Sequence, residues 1–142
     1  MNNNIMNEHS LRNSKLDEEK RILVVYKNYY IIKPFLSELT RVKIKMDIFS
    51  DPISALRNYV IGYYNLLLVE TRLTHMSGFE FSSLISKIEK IKVCFITPMY
   101  LYYESLIEFR PNLSTNCFIS PYIPLKNFRC IVLRNLYNGS RF

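Results

Sequence analysis

The sequence predicts an α/β domain built as a doubly wound, parallel, five-stranded sheet with helices on both faces. Two observations carry this. Runs such as Arg21-Ile22-Leu23-Val24-Val25-Tyr26 and Leu66-Leu67-Leu68-Val69 are continuously apolar, the pattern of strands covered on both sides. Between such runs lie stretches with apolar residues at helical spacing, so strand and helix signals alternate along the chain, which implies parallel pairing through right-handed crossovers and a three-layer sandwich.

Taken in order, Arg21 to Tyr26 is the first strand. Pro34 suits the first turn of a helix, and Phe35, Leu36 and Leu39 supply its apolar stripe. Val42, Ile44, Met46 and Ile48 alternate with Lys43, Lys45 and Asp47, a half-exposed strand expected at the sheet edge with lysines guarding it. Ser50-Asp51-Pro52 caps a second helix that continues through Ile53, Leu56, Tyr59 and Val60 and stops at Gly62. Asn65 to Glu70 is the third strand, and Phe79 to Ile88 the third helix. Ile91 to Thr97 is the fourth strand, and Pro98 opens a fourth helix that reaches about Arg110. Cys117 to Ile119 is a short fifth strand, and Leu125 to Tyr137 the last helix.

At 142 residues the chain fits one domain, long enough to bury roughly two-thirds of the surface its unfolded form exposes. Residues 1–19 are asparagine-rich with scattered apolar residues and read as a disordered tail, residues 20–138 as the domain, and residues 139–142 as a short tail. Cys94, Cys117 and Cys130 have the context of small apolar residues in a reducing compartment. No segment approaches the ~20 consecutive apolar residues of a membrane span, and Met1 to Glu8 lacks a signal-peptide pattern, so no membrane association and a cytoplasmic location are expected. The formal charge is +7; the first twenty residues sum to −1, which leaves +8 for the body. Spread over a whole surface, such a surplus mainly aids solubility, and nucleic-acid binding is a secondary reading. His9 and His75 are the only histidines. Together with the cysteines they form no metal-ligand spacing, and there is no glycine-rich phosphate loop or serine elbow.

In a doubly wound sheet, functional residues gather at the carboxyl ends of the strands. Those ends hold Tyr26-Lys27, Glu70, Thr97 and Ser120-Pro121. The set resembles the receiver domains of two-component response regulators, whose motif is an acidic pair after strand one, an aspartate after strand three, a hydroxyl after strand four and Lys-Pro after strand five. The similarity runs from about Arg21 to Tyr137. Asp51-Pro52-Ile53-Ser54-Ala55-Leu56, Met76-Ser77-Gly78-Phe79-Glu80, Val93-Cys94-Phe95-Ile96-Thr97 and Tyr102-Tyr103-Glu104 resemble archaeal single-domain receivers in particular. The resemblance implies the CheY-like, flavodoxin-like architecture with strand order 2-1-3-4-5.

It also implies a site, and this chain departs from it. Glu70 holds the phosphoacceptor position, Tyr26 and Lys27 hold the acidic-pair positions, and the lysine position falls on Ser120 or Pro121. Thr97 matches the switch hydroxyl and Phe118 the switch aromatic. A hard divalent cation needs carboxylates, so magnesium is expected to bind poorly and no cofactor is expected. A hydroxyl alone does not replace the charge stabilisation a metal gives phosphoryl transfer, so no enzymatic activity is expected. Glu70 admits three readings: an ion pair with the Lys27 ammonium, which is favoured; a permanent imitation of the phosphorylated state; or a carboxylate bonded only to backbone amides while Lys27 faces solvent.

On the last helix, Leu125, Phe128, Val132 and Leu136 form one apolar stripe and Cys130, Leu133 and Tyr137 a second. With Tyr100 and Tyr103 on the fourth helix and Arg129 beside them, these residues form a candidate interface. In receivers, this region with strand five is the usual surface for dimers and partners. The expectation is a phosphorylation-independent pseudo-receiver that signals by protein contact, as a homodimer or with one partner. The alternatives are a working phosphorelay receiver that uses Glu70, and a basic nucleic-acid-associated protein.

Overall fold

The computed structural model describes residues 19–97 and 117–137. Its elements are β1 (Arg21–Val25), α1 (Tyr29–Arg41), β2 (Lys45–Phe49), α2 (Pro52–Arg57), β3 (Leu66–Glu70), α3 (Gly78–Ser86), β4 (Val93–Ile96), β5 (Cys117–Ile119) and α4 (Leu125–Tyr137). The five strands form one parallel sheet in the order β2-β1-β3-β4-β5, as expected. The fourth helix expected from Pro98 to Arg110 lies outside the described residues, and so do both tails apart from Glu19.

Successive strand residues alternate between two apolar layers. Ile22, Val24, Leu66, Leu68, Cys94 and Ile96 face α1 and α4, where Ile32, Phe35, Leu36, Leu39, Phe128, Val132 and Leu136 cover them. Leu23, Val25, Leu67, Val69, Val93 and Phe95 face α2 and α3, covered by Ala55, Phe79, Phe81 and Ile85. Burial on both sides explains why these strands read as unbroken apolar runs. Each fully buried aliphatic or aromatic side chain contributes about 1.5–3 kcal/mol. An edge-to-face contact of Phe35 with Phe128, centroids 4.9 Å apart, locks α1 to α4.

β1, β3 and β4 are shorter than the sequence reading, at Arg21–Val25, Leu66–Glu70 and Val93–Ile96, and four further boundaries depart from it. First, α1 begins five residues before Pro34. Asn28 caps it by accepting from Tyr30 N–H at 3.1 Å, and Pro34 sits in the second turn, where it forgoes a helical hydrogen bond. Second, β2 begins at Lys45 and not at Val42, because Val42 is the α1 C-cap and Lys43 turns the chain at φ 64. Third, α2 ends at Arg57 and not at Gly62: Gly62, at φ 77, closes a turn in which Tyr63 N–H donates to Val60 O. Fourth, α3 ends at Ser86, with Lys87 its C-cap, short of the expected Ile88.

Candidate functional site at the carboxyl ends of the strands

Strand register sets the site. Val25 lies opposite Val69, Glu70 opposite Ile96, and Ile96 opposite Ile119, so the residues that follow β1, β3, β4 and β5 emerge side by side. The winding reverses between β1 and β3, the crevice where open α/β sheets place their ligands. Glu70 stands at this crevice, half-buried.

The main-chain N–H of Lys27 donates to Glu70 Oε1 at 2.8 Å. The side chain of Lys27 is exposed. The ion pair expected between the Lys27 ammonium and Glu70 is thus replaced by a backbone hydrogen bond: the turn from β1 into α1 aims the Lys27 amide at the carboxylate and leaves the long stem free to reach water. Burial lifts the Glu70 carboxyl above its ordinary range, only partly offset by the Lys27 hydrogen bond and by the Lys27 charge acting at a distance.

Tyr26 is 3 % exposed and packs in the layer that faces α1. Burial first, then the nearby Glu70 and Tyr122, push its phenol up to about 12, so it stays neutral at physiological pH. Tyr122, in the loop after β5, is thereby a neighbour that sequence reasoning missed; an aromatic in a loop gives no periodic signal. Ser120 Oγ accepts from Tyr122 N–H at 3.2 Å, and Pro121 is buried beside it. The position expected for a lysine is therefore a closed turn.

Thr97 continues β4, its N–H donating to Ile119 O at 3.0 Å. Its side chain is buried, and Oγ1 has no hydrogen-bond partner among the described residues. Phe118 is half-buried and stacks on Phe95 and Phe79, centroids 5.4 and 6.3 Å away, in the layer that faces α3. The expected switch hydroxyl and aromatic thus lie on neighbouring strands.

The loop after Glu70 is tied down by main-chain contacts. Thr71 N–H donates to Ile96 O, and Gly78 N–H donates to Thr71 O, each at 3.0 Å. A Cβ on Gly78 would overlap the Glu70 carbonyl oxygen and come within 3.0 Å of Val69 Cγ1; only glycine lets α3 approach β3 this closely. Ser77 caps α3 through Glu80 N–H at 3.1 Å. On the neighbouring loop, Asp51 caps α2. Desolvation opposes its charge, but hydrogen bonds from Ser54 and Ile53 and the nearby His75 outweigh it and hold the carboxyl below its ordinary range.

Magnesium does not fit this donor set. Where a divalent cation would need two further carboxylates, there stand a buried neutral phenol and an exposed ammonium, and one oxygen of Glu70 is already engaged by an N–H.

No protein-family model matches the sequence, and no curated protein matches it. Solved structures do. The non-phosphorylated HemR receiver domain from Leptospira biflexa superposes with a TM-score of 0.72 over 84% of this chain and 95% of its own, at 23% identity. The fold is that of a receiver domain. A CheY-like response regulator receiver domain from Methanospirillum hungatei gives 0.74 at 19% identity over 87% of this chain and 98% of its own. The response regulator TrrA from Thermotoga maritima, solved with magnesium and beryllofluoride, gives 0.68 at 22% identity over 81% and 97%.

Part of the expected interface lies on α4. Cys130 is exposed and Arg129 half-buried, but Leu133, expected at the surface, packs partly against the core because the apolar face of α4 is wider than one stripe. Tyr137 is 50% exposed, and the Lys20 ammonium lies over its ring, 5.3 Å from the centroid. Tyr100 and Tyr103 lie outside the described residues. No helix among the described residues is long and apolar enough to cross a membrane.

Proposed function

We propose that this chain is a receiver-type signalling module that works without phosphorylation and conveys its state by protein contact. The observation that carries the reading is the hydrogen bond from Lys27 N–H to Glu70 Oε1. It ties the tip of β3 to the start of the β1–α1 loop, in the place where receivers bring acids together around a metal ion. Tyr26 contributes a neutral phenol, Ser120 and Pro121 contribute no cation, and a glutamate stands at the acceptor position. Such a crevice has a fixed shape and no means to stabilise a phosphoryl group in transfer. Its output is then contact through α4 and neighbouring segments, with a second copy or one regulatory protein; the exposed Cys130 and the half-exposed Tyr137 support that face.

The test is incubation of the full chain with acetyl phosphate and magnesium, followed by intact-mass measurement. The expected result is an unchanged mass. A gain of one phosphate that maps to Glu70 would overturn the proposal and make the chain a working phosphorelay receiver.

A further inference from the structure

The end of the domain opposite Glu70 carries a surface that this function does not use. Residues 60–63 form a tight turn: Tyr63 N–H donates to Val60 O at 3.2 Å, and Gly62 takes the positive φ of 77° that a type II turn needs at its third position. Glu89, from the α3–β4 loop, clamps this turn. Its carboxylate accepts from Gly62 N–H at 3.0 and 3.2 Å and from the Tyr59 hydroxyl. The apex of this pinned turn is aliphatic. Val60 is 53% and Ile61 65% exposed, and Ile88, next to Glu89, is 50% exposed.

Among the described residues, the charge around this apolar tip is mainly positive. Arg57, Lys87 and Lys90 are exposed on the adjoining segments, and Arg41, Lys43 and Lys45 are exposed where β2 starts, at the same end of the sheet. Among the described residues, the acids of this end are Glu89, held by the turn, Asp47, which accepts from the Tyr64 hydroxyl at 2.7 Å, Glu38, paired with Arg41, and Glu19, paired with Arg21, which leaves Lys43, Lys45, Arg57, Lys87 and Lys90 in excess of Glu89 and Asp47. Arg41 and Arg57 lie in the last turns of helices, where the helix dipole alone favours a cation. Lys43, Lys45 and Lys90 lie outside any helix, so dipole compensation does not account for them, and of the three only Lys43 and Lys45 have a part in guarding the β2 edge.

The lack of an apolar span, which led to the expectation of no membrane association, does not bear on surface docking; we infer that this end of the domain docks on an anionic lipid surface, with Ile61 and Val60 entering the headgroup region and the lysines and arginines of this end facing lipid phosphates. The combination of a rigid aliphatic tip with a basic surround selects this occupant. Peripheral membrane binding adds apolar insertion to attraction by anionic lipid. Single-stranded nucleic acid would instead stack its bases on free aromatic faces. Here the Tyr63 ring is covered by the Arg21 guanidinium at 4.1 Å and Tyr64 is buried. Docked this way, the molecule turns the Glu70 crevice away from the membrane. The inference stands apart from the signalling proposal and would hold if Glu70 were phosphorylated.

The experiment is co-sedimentation of the full chain with phosphatidylcholine vesicles, with and without about one-third phosphatidylserine. The expected result is binding to the anionic vesicles alone. Lys87→Ala with Lys90→Ala should weaken it about fivefold per lysine removed, and Val60→Ser with Ile61→Ser roughly tenfold, with unchanged circular-dichroism melting curves in each case. Absence of binding to anionic vesicles would overturn the inference. So would binding indifferent to Val60 and Ile61 alongside steeply salt-dependent binding to DNA, which would assign this end to nucleic acid.

Discussion

Lys27 and Glu70 are joined through the backbone of one and the carboxylate of the other, N to Oε1 at 2.8 Å, across the crevice between β1 and β3. The contact gives Glu70 a single firm donor while burial opposes its charge, so its carboxyl titrates above the ordinary value of 4.5. A carboxyl whose folded pKa is raised favours folding in its protonated form. That contribution is complete below pH 4.5 and is lost as pH rises through the folded value. Glu70→Gln keeps an acceptor for Lys27 N–H and removes the charge. It should be more stable than the native chain at neutral pH, by no more than about 1 kcal/mol because a half-exposed group is screened by solvent, and the difference should shrink toward pH 4. Urea denaturation of both proteins across that range checks the sign.

The Lys27 side chain acts on Glu70 only through its field. Lys27→Met keeps the main-chain hydrogen bond, so it should raise the Glu70 pKa modestly and leave the loop in place. A carboxyl-detected NMR titration would show an upward shift with unchanged amide shifts elsewhere. An unchanged pKa would mean that the lysine charge is fully screened.

Gly78 is the close-approach point of α3 on β3. Gly78→Ala places a methyl group against the Glu70 carbonyl oxygen and forces the helix start away from the strand, at a cost of about 2–4 kcal/mol in denaturant unfolding. Because Gly78 N–H also holds Thr71 O, the same variant should speed hydrogen exchange in the loop after Glu70.

Thr97 carries a buried hydroxyl without a partner among the described residues. Thr97→Val removes that desolvated oxygen at nearly constant volume and should stabilise the fold by about 1 kcal/mol. A loss of stability would mean that the hydroxyl is satisfied in solution.

Phe128 is fully buried and meets Phe35 edge to face. Phe128→Ala should cost about 3–5 kcal/mol and loosen α4, which would be read as a lower unfolding midpoint and faster exchange of the α4 amides.

Much of this architecture was legible in the residues. The unbroken apolar runs of β1, β3 and β4 mark strands buried on two faces, and α4 spans Leu125–Tyr137 as its spacing predicts. What escaped was set by tertiary contacts. The start of α1 is decided by the Asn28 cap, which lies six residues before the stronger proline signal. The end of α2 gives way to the turn at Gly62, beside which the Tyr59 and Tyr64 hydroxyls reach Glu89 and Asp47 across the fold; burial, and then those carboxylates, push both phenols well above their ordinary value. Tyr26, Lys27, Glu70 and Thr97 lie at the carboxyl ends of neighbouring strands. That Lys27 engages Glu70 through its amide was one of the readings the sequence left open, not the favoured one, and the path of the β1–α1 turn decides between them. The proximity of Tyr122 to Tyr26 is likewise a matter of loop geometry.

The sheet divides the interior into two apolar layers with no side chain in common. Substitutions that reshape one half need not be answered in the other, so each can drift along its own evolutionary course while the strands keep the frame. A sheet of this design can therefore keep its outline while the residues on either side of it diverge.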